Sequence, residues 1–267
     1  MSGPTLFVAG CRGSMAVSGP EHARFGGNTT CFHAEVEPDH HLVIDAGTGL
    51  RHLQRLVVDR KTPQRFTMLL THFHWDHIQG LPVFAPLFDR ANRVDLWGPP
   101  LEDTDPEDVL CSVICRPFWP VGLAEAEADI RIRSLEDAIE VGPVRVTHAA
   151  LNHPDGVVGY RLEGSHTVVI ATDHEAGEPE ADARLLKLAH KADTLIHDAQ
   201  YTPEEHRGSR AGWGHSDWEA AVRIARDSGA NRLVLTSHDP DRNDDQITAI
   251  RAAARSKFPM TDSAHEG

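Results

Sequence analysis

The run Thr71-His72-Phe73-His74-Trp75-Asp76-His77 places four groups able to bind a cation within the six residues from His72 to His77. That density exceeds what one tetrahedral ion takes from a short segment, and it suits division between two ions. An aspartate among imidazoles adds a hard oxygen donor and negative charge, which offsets the repulsion between neighbouring cations. Three more candidate ligands, His153, Asp173 and His238, each follow closely on a short apolar run, as His72 does. In layered α/β folds, groups just beyond the carboxyl ends of strands converge on one site however far apart they lie in sequence. The plainer reading of the run, a histidine-rich exposed turn, is disfavoured because Leu69-Leu70 enters it from a buried stretch.

The elements that must position these groups are short runs rich in Val, Ile and Leu with turn residues between them. Thr5–Ala9, His41–Ile44, Phe66–Leu70, Arg93–Trp97, Val144–Thr147, Val157–Leu162, Thr167–Ala171, Thr194–Ile196 and Arg232–Leu235 read as buried strands. Helical spacing appears at Leu50, Leu53, Leu56 and Val57, at Leu185, Leu186 and Leu188, and at Ala221, Val222 and Ala225. Ser216 with Glu219 predicts a capping box at the start of the third helix, and Asn243-Asp244-Asp245 predicts the cap of a fourth that ends near Lys257. No Pro/Gly/Ser linker divides the chain, so residues 1–267 are expected to form one α/β domain. Residues 98–129, with Pro99-Pro100, Pro106, Pro117 and Pro120, read as an irregular insertion, and the residues after Thr261 as a frayed tail.

The composition narrows the function classes. The 267 residues are 40% hydrophobic, ample for a large core, and 18 of them are histidine. A net charge of −14 works against a broad polyanion-binding surface, so a long nucleic acid is disfavoured as a partner. The N-terminal residues lack a signal-peptide pattern, and no apolar run is long enough to cross a bilayer, so a cytoplasmic protein with no membrane partner is expected. Cys11, Cys31, Cys111 and Cys115 form no CxxC pair and read as reduced thiols.

These motifs resemble the metallo-β-lactamase superfamily along nearly the whole chain. The resemblance lies in Thr71–His77, in Asn152-His153-Pro154, in Ala171-Thr172-Asp173 and in Ser237-His238-Asp239-Pro240. It implies a four-layer αββα sandwich and two divalent metal ions, Zn2+ first, with Mn2+ or Fe2+ suited to the same donors. His72, His74 and His153 would hold one ion; Asp76, His77 and His238 the other; Asp173 would bridge them. Either Ser237 or His238 fits the last family position, and His238 is chosen because an imidazole is the better ligand.

Within the superfamily the sequence is similar to the phosphodiesterase-like branch, which includes ribonuclease Z and class II cyclic-nucleotide phosphodiesterases. Leu195–Tyr201, Gly212–Ser216, Gly10–Ser14, Gly26–Thr30 and Ile44–Gly49 carry that likeness. It implies a metal-activated water as nucleophile, oriented with the help of Asp76, and an Asp198–His215 pair as proton donor. The interval from His153 to Asp173 is too short for the long tRNA-gripping arm that ribonuclease Z inserts there, so a small phosphodiester such as a cyclic nucleotide is the expected substrate. Rivals on the same scaffold are a thioester or lactam hydrolase, a di-iron oxygen or nitric-oxide enzyme, and a nucleotide-binding sensor. A homo-oligomer is compatible with the sequence.

Other residues carry weaker signals. Asp45, between a strand and Gly47, is expected to orient a ligand histidine, with simple turn chemistry the competing account. His197 should face away from Asp198 along an extended strand, and His148 competes with His153 as a ligand. Arg12, Arg116, Arg161, Arg207 and Arg210 are candidates to grip phosphate, although ordinary solvated charge explains each as well. Trp75, Phe118 and Trp119 are candidates for an apolar wall over the substrate.

Overall fold

A computed structural model describes residues 4–101 and 104–267, so Met1–Gly3 and, within the expected insertion, Glu102 and Asp103 lie outside the described residues. Thirteen strands alternate with seven helices among the described residues. The first sheet comprises β1 (Phe7–Gly10), β2 (Cys31–Glu37), β3 (His40–Ile44), β4 (Arg65–Leu69), β5 (Arg93–Gly98) and β6 (Asp129–Ser134), in that spatial order. The second comprises β7 (Ala138–Val141), β8 (Val144–Leu151), β9 (Val157–Glu163), β10 (Thr167–Ala171), β11 (Thr194–Asp198), β12 (Leu233–Thr236) and β13 (Thr261–Ser263), again with neighbours in sequence adjacent in space. The helices are α1 (Leu50–Val57), α2 (Trp75–Ile78), α3 (Pro106–Val113), α4 (Pro179–Leu188), α5 (Pro203–Arg207), α6 (Trp218–Ser228) and α7 (Asp244–Lys257).

Three apolar layers hold this arrangement together. Leu50, Leu53 and Val57 of α1 and Leu110 of α3 pack with Val43, Phe66, Met68, Val94 and Leu96 on the outer face of the first sheet. Leu185 and Leu188 of α4, Val222 and Ala225 of α6 and Ala254 of α7 pack with Val169, Leu195 and Leu233 on the outer face of the second. Phe32, Leu42, Ile44, Leu69, Tyr160, Leu162, Ile170 and Ile196 fill the space between the sheets. The result is the expected αββα sandwich. Strands β3 to β6 run parallel, as do β10 to β13, and β3, β4, β10, β11 and β12, covered on both faces, read as largely continuous apolar runs rather than alternating ones.

Four strands escape a search for apolar runs, because β2, β6 and β7 carry polar residues between their apolar ones and β13 is only three residues long. In β2, for instance, Phe32, Ala34 and Val36 face the inter-sheet core while Glu35 and Glu37 are exposed. The C-terminal segment is not a frayed tail. Strand β13 pairs in parallel with β12, and Glu266 accepts hydrogen bonds from the backbone and side-chain nitrogens of Asn28.

The expected insertion is likewise more regular than its prolines suggest, containing α3 and ending where β6 begins at Asp129. Helix α6 is capped one residue later than expected: Asp217 accepts from the amides of Glu219 and Ala220, while the Ser216 hydroxyl donates to His174 O. Asn243 caps α7 in a full capping box with Gln246. No helix of the described residues is long and apolar enough to cross a membrane.

Gly47, in the loop after β3, packs tightly against the run Thr71–His77. A Cβ there would lie 2.5 Å from Asp76 O and 2.6 Å from Thr30 O, both backbone atoms that cannot step aside. Gly47→Ala is therefore expected to destabilise the fold by about 1–3 kcal/mol. Thermal melting checks this, at roughly 2–4 °C per kcal/mol for a chain of this size.

Candidate metal centre

The parallel strands and β8 all end at one rim of the sandwich, and the loops leaving them supply the polar cluster. Asp45 follows β3, the run Thr71–His77 follows β4, His153 follows β8, Asp173 follows β10, Asp198 closes β11 and Ser237 follows β12. His72, His74 and His153 each present one ring nitrogen, and these three atoms lie within 4.8 Å of one another. His153 Nε2 is 3.1 Å from His74 Nδ1. The buried Nε2 of His72 has no hydrogen-bond partner among the described residues. A buried ring nitrogen left unpaired beside two others is costly in a protein core and is what a cation ligand looks like.

Asp173 Oδ2 joins this trio to a second group. It lies 3.1 Å from His77 Nε2, 3.7 Å from His72 Nε2 and 3.9 Å from His153 Nε2. Asp76 Oδ2 is 3.3 Å from the same His77 nitrogen and accepts the amide hydrogen of Ser14 at 2.8 Å. Burial opposes charge on His77, yet Asp173, Asp76 and Asp45 around it raise its pKa well above the ordinary imidazole value. Burial, reinforced by the neighbouring His77, holds His72 well below that value. Imidazoles and carboxylates that crowd together in this way fit divalent cations, which would neutralise the carboxylates and take up the unpaired nitrogens.

The supporting hydrogen bonds are as specific as the cluster. Asp45 Oδ2 accepts from His77 Nδ1 at 2.8 Å, and Asp45 Oδ1 accepts the Thr71 amide at 2.8 Å. This leaves His77 Nε2 turned into the site, the orienting geometry rather than mere turn chemistry. His153 Nδ1 donates to Gly214 O at 2.7 Å, which directs its Nε2 inward. Asp198 Oδ2 accepts from His215 Nδ1 at 2.7 Å, and its other oxygen accepts the amides of Ser216 and Gln200. Burial disfavours charge on His215, but Asp198, Asp173 and Asp76 outweigh it and push its pKa up to about 9.

His238 is the one expected ligand that the fold takes elsewhere. Its Nε2 donates to Ala264 O at 2.9 Å, its ring meets Phe25 edge-on, and burial together with the nearby Arg12 pushes its pKa down to about 4. Ser237 faces the centre instead, with Oγ 3.3 Å from Asp173 Oδ1. The chain leaves β12 at Thr236 with Ser237 in the left-handed region, and the two side chains part there, Ser237 towards Asp173 and His238 towards Ala264. Of the two residues that fit the last family position, Ser237 is the one whose side chain faces the centre.

Other expectations sort similarly. His148 points away and meets Glu136 O, and His197 is buried behind Asp198, whose carbonyl accepts from its Nδ1. Arg12 is wholly buried, donating to the carbonyls of Gly26, Asp239 and Arg242, so it braces loops rather than meeting substrate. Arg161 is tied to Leu188 O and His190 O, and Arg207 to Glu204. Trp119 packs on the outer core of the first sheet and Phe118 is 73% exposed; neither lines the cavity at the centre. That cavity, about 420 Å³, is walled instead by Arg210, Trp213 and Tyr201 opposite His74, His153 and His215. Arg210 stacks on Trp213, its Cζ 4.3 Å from a ring centroid. The sequence signal for Trp213 was its place inside Gly212-Trp213-Gly214-His215, read only for its histidine.

Two stacked sheets with helices outside and a histidine–aspartate cluster at one rim define a metal-dependent αββα hydrolase. The chain belongs to the family described as the β-lactamase superfamily domain, whose model matches residues 40–238. It is 27% identical over 277 residues to a ribonuclease Z of Exiguobacterium sibiricum, covering 81% of this chain and 84% of that one. Among solved structures it is similar to the metallo-β-lactamase fold protein YhfI of Bacillus subtilis, with a TM-score of 0.73, 20% identity and coverage of 99% of this chain and 97% of that one. A diphosphatase from the PhnP family superposes with a TM-score of 0.71 at 20% identity, covering 99% and 96% of the two chains.

Asp45→Ala removes the acceptor that orients His77 without touching a cation directly. It is expected to weaken divalent-metal affinity by about 10–100-fold. Competition with a chromophoric chelator measures this, and unchanged affinity would assign Asp45 to the turn alone.

Proposed function

We propose that this chain is a metal-dependent phosphodiesterase acting on small phosphodiesters, cyclic nucleotides among them. His72, His74 and His153 would hold one divalent ion, Asp76 and His77 a second, and Asp173 would touch both. Bound there, the ions supply an activated water and positive charge for the phosphoryl oxygens. The observation that carries the reading is the Asp198–His215 pair, whose histidine lines the same cavity as the proposed ligands while the buried Asp198 holds it from behind.

His215 keeps a proton on Nδ1 for Asp198 and has Nε2 free to protonate a leaving alkoxide. Asp198 fixes the ring and stabilises its charge. Asp76, held by the Ser14 amide, sits beside His77 where it can orient the attacking group as well as bind a cation. Arg210 provides a charge for a substrate phosphate oxygen, and Trp213, 55% exposed, provides a flat face for a base.

Two observations support a small substrate. The interval from His153 to Asp173 is used up by the β9–β10 hairpin, and the chain's charge of −14 opposes an extended polyanion. The likeness to a ribonuclease Z favours a second reading, cleavage of an RNA phosphodiester at the same centre. The four free cysteines support placing the enzyme in a reducing, cytoplasmic setting.

Comparing kcat/KM on cyclic nucleotides, bis-nitrophenyl phosphate and a tRNA precursor tests the order, with thioesters and lactams as controls. The small diesters are expected to lead. Efficient tRNA cleavage beside slow small-diester turnover would establish the RNA reading instead, and turnover of the controls alone would reject both.

His215→Ala is expected to leave metal content unchanged and to lower turnover by roughly 10²–10⁴ on diesters with poor leaving groups. The loss should shrink for nitrophenolate, which leaves without a proton. An equal loss on both substrate types would argue against proton donation.

A further inference from the structure

The proposed ligands do not divide evenly. One side of Asp173 has three imidazoles, His72, His74 and His153, whose donor atoms converge within 4.8 Å. The other side has a single proposed imidazole ligand, His77, with the Asp76 carboxylate beside it, and the Ser237 hydroxyl reaches the second oxygen of Asp173. A second imidazole is next to it in sequence, but His238 is committed to Ala264 O and to Phe25, where it fastens the segment after β13.

The backbone makes that commitment firm. Ser237 is in the left-handed region at φ 56°, a conformation rare for a non-glycine residue, and so is Asp173 at φ 53°. Immediately after Ser237, the His238 amide donates to Cys11 O and the His238 carbonyl accepts from the Gly13 amide. Turning His238 to the centre in place of Ser237 would mean breaking this bridge and giving up its hold on Ala264 O. The hydroxyl at the centre is thus built in by the fold.

We propose that the two cation positions are chemically unequal: a nitrogen-rich position at His72, His74 and His153 that retains Zn2+, and an oxygen-rich position at His77, Asp76 and Ser237 that exchanges its ion and accepts Mn2+ or Mg2+. Imidazole donors suit Zn2+, whereas carboxylate and other oxygen donors suit Mg2+ and Mn2+. Losing a group that only supports a ligand already costs about 10–100-fold in affinity, so a hydroxyl in place of an imidazole ligand is expected to weaken Zn2+ there by at least about 100-fold. The inference rests on the ligand assignment proposed above and is independent of the substrate.

Metal-stripped full-length protein titrated with Zn2+ against a chromophoric chelator, followed by elemental analysis, tests it. One equivalent should resist the chelator and a second should be removed about 100-fold more readily, and Mn2+ added to the one-zinc protein should restore the full count. Ser237→Cys, close in size and offering a thiolate, should close the gap for Zn2+, while Ser237→Ala should weaken Mn2+ retention. Two Zn2+ equivalents of equal affinity would overturn the inference, as would a folded Ser237→Cys that leaves the gap unchanged. If Ser237→Cys fails to fold, the wild-type Zn2+ and Mn2+ counts decide by themselves. Protein that binds no divalent ion would overturn the ligand assignment and the proposed function with it, whereas unequal binding without diester turnover would reject only that function.

Discussion

Asp173 is a carboxylate buried at the rim between two sheets, and much of the surrounding structure exists to make that burial tolerable. Taking an ionised carboxylate out of water costs several kcal/mol unless it is paired and hydrogen-bonded. Here His77, His72, His153 and Ser237 approach its oxygens, and its own amide donates to Asp198. Burial disfavours its charge, but His77 and His215 more than reverse this, so its pKa lies well below the ordinary carboxylate range. Because Asp198 also accepts from His215, the acid proposed to meet the cations and the histidine proposed to move the proton share one hydrogen-bonded unit.

The two sheets contribute different parts of this unit, so its geometry depends on their relative placement. The first sheet delivers Asp45 and the run Thr71–His77; the second delivers His153, Asp173, Asp198, His215 and Ser237. Tyr160 helps lock the sheets together, its hydroxyl donating to Leu70 O just before the metal-binding run. Arg12 works from the N-terminal loop, joining Gly26 O to the carbonyls after β12, while two residues on the Ser14 amide meets Asp76. A buried arginine whose donors are spent on backbone carbonyls is a brace, and it leaves the cavity's positive charge to Arg210.

The wall of the cavity is held from one carboxylate. Glu175, two residues beyond Asp173, accepts the amides of Gly212 and Gly214 and meets His206, so the loop carrying Arg210 and Trp213 is fixed to the same segment as Asp173. Gly214 in turn accepts from His153. The cavity wall and the histidine–aspartate cluster are therefore coupled through a few backbone hydrogen bonds, an arrangement that suits the proposed positioning of a phosphate against the cations.

By itself the sequence determined the layered α/β class, most of the buried strands and nearly all of the centre, because continuous apolar runs and dense His/Asp motifs are local signals. His72, His74, Asp76, His77, His153 and Asp173 cluster as their spacing after strands implied, and Asp198 with His215 forms the expected pair. Tertiary structure decided what depends on partners distant in sequence. The three-residue β13 exists only because β12 is beside it, and Trp119 rather than a substrate wall became core because the outer face of the first sheet needed covering. The choice between Ser237 and His238 was likewise tertiary: the left-handed turn at Ser237 just after β12, held by the His238 backbone bonds to Cys11 and Gly13, sends one side chain to Asp173 and the other to Ala264.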